Sequence, residues 1–123
     1  MKDENKISVV GGGLAGCEAA YQISKLGIDV DLYEMRPGNK TEAHNTEYLA
    51  ELVCSNSFRS DDKEYNAVGV LHEELRMSDS LIMKTADSNK VPAGSALAVD
   101  RDDFAKEINS IIKSNSKIKI INK

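Results

Sequence analysis

Gly11-Gly12-Gly13-Leu14-Ala15-Gly16 sets three glycines at the spacing Gly-x-Gly-x-x-Gly. Each has a physical use: Gly11 permits a tight turn, Gly13 lets the backbone approach a pyrophosphate, and Gly16 lets a helix pack closely on a strand. Phosphates then meet the unpaired N–H groups of a helix N-terminus. Alone the pattern is weak. Here a β-branched strand precedes it, a helical stretch follows, and Glu34 ends the next extended run eighteen residues after Gly16. A carboxylate there can accept both hydroxyls of an adenosine ribose, and it disfavours a 2′-phosphate because two anions would meet. FAD and NAD share this fingerprint. Met35-Arg36-Pro37-Gly38 leads into a polar loop rather than straight into another βα unit, which leans toward FAD. The candidate cofactor-binding set is Gly11, Gly12, Gly13, Leu14, Ala15, Gly16, Glu34 and Arg36.

The second informative stretch is Glu51-Leu52-Val53-Cys54-Ser55-Asn56-Ser57-Phe58-Arg59-Ser60. A cysteine among Ser, Asn and Arg can be ionised by nearby cationic or N–H groups, and only the thiolate is a good nucleophile. The same residue types suit a small buried hydrophobe, the usual role of a free cysteine. Cys17, in the first turn after Gly16, reads as a packing residue. His44 and His72 have no partner at metal or triad spacing, and His72 reads as a surface or boundary residue. The two cysteines form neither a metal-ligand set nor a disulfide framework, so no metal is expected.

These residues need elements to position them. Ile7–Val10 reads as a buried strand, Leu14–Leu26 as a helix and Ile28–Glu34 as a second strand. Ala15, Ala19, Ala20 and Ile23 give the helix a narrow small-residue face, with Gly27 where a C′ glycine belongs. Strand, helix, strand over about thirty residues is a βαβ unit, the building block of parallel sheet. Arg36–Asn45 reads as loop, and Tyr48–Val53 as a short helix or strand that periodicity does not separate. Ser55–Asn66 reads as irregular. From Asn66 to about Ala86 a long helix is predicted, with Val68, Leu71, Leu75 and Ile82 as its apolar stripe. Glu73, Glu74 and Arg76 read as its solvated face. Pro92 and Gly94 break the chain. Asp100 caps a helix from Arg101 to Lys113, whose apolar face is Phe104, Ile108, Ile111 and Ile112. Lys117–Ile121 reads as a last strand. The fold class is therefore α/β, a Rossmann-like βαβ unit with a parallel sheet. Since a doubly wound sheet needs more than three strands, an incomplete domain is expected.

At 123 residues the length fits one domain. A net charge of −4 is not the basic footprint of a chain that grips RNA phosphates. No stretch is long and apolar enough to span a bilayer. The charged leader Met1–Lys6 lacks the apolar run of a signal peptide, so the cytoplasm is the expected location and no membrane partner is expected.

Six segments occur together and in order: Gly11 to Gly16, Leu32 to Pro37, Ala50 to Ser57, Asn66 to Gly69, Asp79 to Met83, and Val91 to Gly94 with Leu97 to Arg101. In this the chain resembles the folate- and FAD-dependent tRNA (uracil-5-)-methyltransferases, the TrmFO (formerly Gid) family. The Tyr33-Glu34-Met35-Arg36-Pro37 and Leu52-Val53-Cys54-Ser55-Asn56-Ser57 segments are the specific ones. The resemblance implies a truncated flavoprotein domain of the glutathione-reductase-like type. It also implies a reaction in which reduced FAD and 5,10-methylenetetrahydrofolate deliver a methyl group to C5 of the T-loop uridine of tRNA, with NAD(P)H reducing the flavin. It implicates Cys54 in the chemistry, as nucleophile or as acid or base. The family protein is more than three times as long, so the tRNA- and folate-binding surfaces are expected outside this chain, and the chain alone is expected to be inactive. Two rivals remain. Cys17-Glu18-Ala19-Ala20 is shared with the MnmG/GidA flavoproteins of wobble-uridine modification. A non-catalytic dinucleotide-binding fragment would carry the same glycine turn.

Overall fold

The computed structural model describes residues 5–123, so Met1–Glu4 of the charged leader lie outside the described residues. Strand β1 (Lys6–Val10), helix α1 (Leu14–Lys25) and strand β2 (Asp29–Glu34) form the expected βαβ unit, but β1, expected to be buried, is largely exposed, with Val10 at 85%. β1 runs parallel to β2, with Val10 opposite Tyr33. The last strand, β6 (Ile118–Asn122), joins the other edge of β2, also parallel, with Glu34 opposite Asn122. The resulting sheet order is β1-β2-β6. α1 closes at Gly27, where a φ of +78° suits glycine and the N–H donates to the Ser24 carbonyl at 3.0 Å. Its buried face is Cys17, Ala20 and Ser24, while Ala15 and Ala19 are exposed. The helix thus sits about one position round from the face its alanines suggest, because Gly16 and Cys17 make the close approach.

Between β2 and β6 the chain departs from the sequence expectation. The stretch expected to be irregular contains a strand, β3 (Ser57–Ser60), and the region around Pro92 and Gly94 contributes β4 (Lys90–Val91) and β5 (Ala96–Val99). These pair antiparallel in a second sheet of order β3-β5-β4. Residues 48–53 form turns, neither helix nor strand. The single long helix is two: α2 (Ala67–Met77) and α3 (Leu81–Ser88). They divide at Asp79, whose φ of 59° ends helical geometry, and at Ser80, whose hydroxyl accepts from Met83 N at 3.1 Å. Helix α4 (Arg101–Ser114) starts as expected, with Asp100 accepting from Asp103 N at 2.9 Å.

One apolar core joins both sheets. Val30 and Leu32 of β2 meet Leu81 and Met83 of α3, Leu97 and Val99 of β5, and Phe104, Ile108 and Ile112 of α4. Phe58 of β3 meets Phe104 edge-on at 5.6 Å. No helix among the described residues is long and apolar enough to cross a membrane.

α2 is oriented against its apolar pattern. Its inner side holds Gly69 and His72, whereas Leu71 and Leu75 are exposed. Polar contacts fix this orientation. His72 Nδ1 lies 2.9 Å from Asp61, and Arg76 bridges Asp61 at 3.0 Å and Asp87 at 2.8 Å. His72, expected at the surface or boundary, is thus buried at 5% exposure, while Arg76, expected on a solvated face with Glu73 and Glu74, is a quarter exposed and held in ion pairs. Gly69 helps, because a Cβ there would fall 2.2 Å from the Asp62 carbonyl.

A second polar contact ties α1 to α3. The Glu18 carboxylate accepts from Ser80 Oγ at 2.6 Å, Leu81 N at 3.0 Å and Ile82 N at 2.9 Å, so it caps a helix 62 residues away. Burial pushes the carboxyl up, but hydrogen bonds from Gln22, Ser80, Ile82 and Leu81 outweigh it and hold Glu18 below its ordinary 4.5. Glu18→Ala is expected to cost about 1–3 kcal/mol, read as a lower urea midpoint at pH 7. A carboxyl held low in the fold stabilises fully above its unfolded value and loses that contribution as pH falls through its folded value. The gap between wild type and Glu18→Ala should therefore narrow below about pH 4.5.

Candidate functional site

The glycine turn lies at the C-terminal end of β1, where a parallel sheet offers a ligand its crevice. Gly11 takes a φ of +102° and its N–H donates to Tyr33 O at 2.8 Å, closing the turn onto β2. Gly16 is a pure packing requirement: a Cβ there would lie 1.7 Å from the Gly11 carbonyl oxygen. Gly13 has open space around its missing side chain and begins α1 without any side-chain cap. The first-turn amides of Leu14 and Ala15 are thus left to an outside acceptor, and the first turn carries no acidic residue to repel one. A cleft of about 300 Å³ opens here, lined by Gly11, Gly12, Gly13, Glu34, Met35 and Arg36 among others. A diphosphate suits this cradle, since it supplies the acceptors the helix start lacks.

Gly12 has a role that the sequence motif does not state. Its N–H donates to Glu34 Oε2 at 3.0 Å, and a Cβ would strike that oxygen and the Leu49 side chain, each at 2.5 Å. Glu34 is buried at 5% exposure, and both of its oxygens are engaged. Oε1 accepts from Arg36 N at 2.9 Å and Arg36 Nε at 3.0 Å, while Oε2 takes a longer contact from Arg36 Nη2 at 3.3 Å. Burial raises the Glu34 carboxyl, yet the Arg36 side chain and amide and the Gly12 amide overcome this and hold it below its ordinary 4.5. The carboxylate is thus charged and fixed at the end of β2, with the Arg36 Nη2 contact the weakest of its four.

Arg36 does not face open solvent. Only 3% exposed, it places Nη1 at 3.1 Å from Glu51 Oε2 and 3.4 Å from the Thr46 carbonyl. It therefore joins Glu34 to the loop that precedes the cysteine segment. The same loop meets the glycine turn directly, through Ala50 N to Gly12 O at 2.8 Å. Sequence reasoning placed Ala50 and Glu51 in the cysteine segment but gave neither of them, nor Leu49, a contact with the glycine turn or with Arg36. The only available signal was that two acidic residues, Glu34 and Glu51, flank one arginine in otherwise polar loops.

The two cysteines differ sharply. Cys17 is fully buried with its thiol toward the Gly12 carbonyl at 3.4 Å. Burial, reinforced by the Glu34 charge, pushes it up to about 12, so it packs and does not react near neutral pH. Cys54 is exposed, on a bend just before β3. The reading of Cys54 as a buried hydrophobe therefore fails. His44, paired with Thr41 at 2.7 Å, also lines the cleft.

Comparison with known proteins places this geometry in context. The family model described as "Glucose inhibited division protein A" matches residues 6–123. Among curated relatives, the methylenetetrahydrofolate--tRNA-(uracil-5-)-methyltransferase TrmFO of Bartonella tribocorum is 62% identical over 117 residues, 95% of this chain and 25% of that protein. The protein of the same name from Bartonella henselae is 63% identical over 114 residues, 93% of this chain and 24% of its own length. That of Brucella anthropi is 57% identical over 119 residues, 97% of this chain and 25% of its own. The chain spans about a quarter of the length of the curated relatives it matches. With the match running from the first residue of β1 to the last of the sequence, the chain belongs to the glucose inhibited division protein A family.

Proposed function

We propose that the chain is the amino-terminal, FAD-binding part of a cytoplasmic enzyme that methylates C5 of a T-loop uridine in tRNA. Its carbon donor is 5,10-methylenetetrahydrofolate and its reductant NAD(P)H. The observation that carries this reading is 57–63% identity, across 93–97% of the chain, to proteins whose names state the folate donor, the tRNA and the uracil C5 position. The cleft at the glycine turn supports the cofactor assignment. FAD held there would supply the reducing equivalents needed to bring a folate methylene to the methyl level. The chain's own residues hold it. The Gly11–Gly13 turn and the amides of Leu14, Ala15 and Gly16 would hold the diphosphate, and Glu34 would accept from the ribose. Uracil C5 is a poor nucleophile until a thiolate adds at C6, and the exposed Cys54 would serve the reaction as that nucleophile or as an acid or base. With a net charge of −4, this part leaves the gripping of tRNA phosphates to other parts of the enzyme.

The test is nucleoside mass analysis of tRNA from cells deleted for the gene and lacking any second uridine methylase. Loss of T-loop 5-methyluridine is expected. Its retention would sink the proposal, and a change at the wobble uridine instead would transfer the protein to the related wobble-modifying flavoproteins.

A further inference from the structure

The loop before Cys54 is fastened to the cofactor turn more tightly than an exposed connection requires. Glu51 Oε1 accepts from the amides of Asn45 and Thr46, each at 2.9 Å, and so folds residues 45–51 into a closed turn. Its other oxygen takes Arg36 Nη1 at 3.1 Å, with the Glu51 and Arg36 side chains 7% and 3% exposed. Ala50 adopts a φ of 54°, a conformation that disfavours a residue with a Cβ, and in it the N–H reaches the Gly12 carbonyl. Leu49 fills the space that a side chain on Gly12 would need. A single buried guanidinium therefore connects Glu34 to Glu51, and Cys54 follows Glu51 by three residues.

We infer that the Arg36–Glu51 pair is a positioning device, through which occupation of the dinucleotide cleft sets the place and accessibility of Cys54, with Glu51 as its positioning residue. The inference rests on the proposed function. Its logic is a competition for acceptors. Four donors already occupy the Glu34 carboxylate, the usual limit for two oxygens. A ribose hydroxyl donating to Glu34 displaces the longest of these, Arg36 Nη2. The released side of the guanidinium then leans on Glu51, its other buried anion, and tightens the loop that leads to Cys54. An arginine serves here because its planar fork reaches both carboxylates at once, which a lysine cannot do.

The experiment follows Cys54 alkylation by iodoacetamide, mapped by peptide mass spectrometry, in the full-length protein with FAD bound and after FAD is stripped. In wild type the two labelling rates should differ by about fivefold or more, the lower end of ordinary coupling between sites. Glu51→Gln keeps an amide acceptor for Asn45 and Thr46 but removes the charge that holds Arg36. It is expected to retain flavin absorbance while the two rates converge to within about twofold. Glu51→Asp keeps the charge on a shorter arm and serves if the glutamine variant does not fold; a reduced FAD dependence is expected there too. A merely structural staple would lower the melting temperature and leave the FAD dependence of labelling intact. That result in either variant overturns the inference, as does a wild-type Cys54 that labels equally with and without FAD. Wild-type protein that binds no flavin at all would instead defeat the proposed function itself.

Discussion

Gly16→Ala is expected to abolish stable folding of the first βαβ unit, and with it any flavin colour in the full-length protein. The added methyl carbon would lie 1.7 Å from the Gly11 carbonyl oxygen and 2.9 Å from its carbon. Both are backbone atoms, and Gly11 cannot retreat. Its φ of +102° and its hydrogen bond to Tyr33 fix it at the junction of β1 and β2. Relief would require α1 to lift from the sheet, taking buried Cys17 and Ala20 with it. The cost should exceed about 4 kcal/mol, beyond what ordinary substitutions inflict. Gly13→Ala is the matched control. Its φ of −81° suits alanine and nothing lies within 4 Å of the new methyl. That variant should melt with wild type yet bind FAD more weakly if the proposed diphosphate site is right, because the methyl enters the open space beside the turn. Thermal melts with absorbance near the flavin maximum separate the two effects. A Gly16→Ala protein with the wild-type melting temperature would refute the packing argument.

Arg36→Ala should be nearly as damaging for a different reason. It strands two carboxylates, Glu34 and Glu51, in sites made for a cation. Removing one partner from a buried ion pair costs about 3–5 kcal/mol, since the remaining charge keeps its desolvation penalty. Here two are left. The pH dependence identifies the cause. In wild type, Glu34 is held below its ordinary 4.5, so its stabilisation is present above that value and fades as pH falls through the lower folded value. Without the Arg36 side chain only the amides of Gly12 and residue 36 still oppose burial, so the carboxyl moves up from its wild-type position and protonation relieves the variant in part. The gap between its urea midpoint and that of wild type should narrow as pH falls from about 7.5 through the carboxylate range. Parallel pH profiles would assign the loss to side-chain packing rather than to charge.

What the sequence disclosed, and what it did not, follows from the range of the interactions. Gly11, Gly13, Gly16 and Glu34 were legible because backbone geometry within one βαβ unit dictates them. Gly27 and Asp100 were legible as local capping chemistry. The division of the long helix was within reach, since Ser78-Asp79-Ser80 is capping chemistry, but the apolar spacing of Leu71, Leu75 and Ile82 runs straight through it. The decisive partner, Glu18, lies 62 residues from Ser80 and could not be read from either segment. β3 and β5 are four residues each and gain their structure from pairing across about forty residues, which no local pattern records. His72 was misplaced because a histidine among charges reads as surface, whereas here Asp61 and Arg76 make the polar side of α2 the inner one. At the site, the tight turn at Gly11 and the close packing at Gly16 were foreseen. That Gly12 supports Glu34, and that Arg36 binds two acids, became visible only when residues 45–51 were seen folded over them.

The outward apolar side of α2 bears on how the molecule behaves in the tube. Leu71 at 52% exposure and Leu75 at 37%, one turn apart, put an apolar stripe on the outer side of α2, with ionic contacts beneath the helix. Sulfate salts strengthen apolar association and screen the −4 charge that keeps copies apart, so both influences act in the same direction. Ammonium sulfate should bring the protein out of solution at low saturation, and a phenyl resin should retain it strongly. Aspartate at Leu71 is the first change to make for anyone who needs it concentrated.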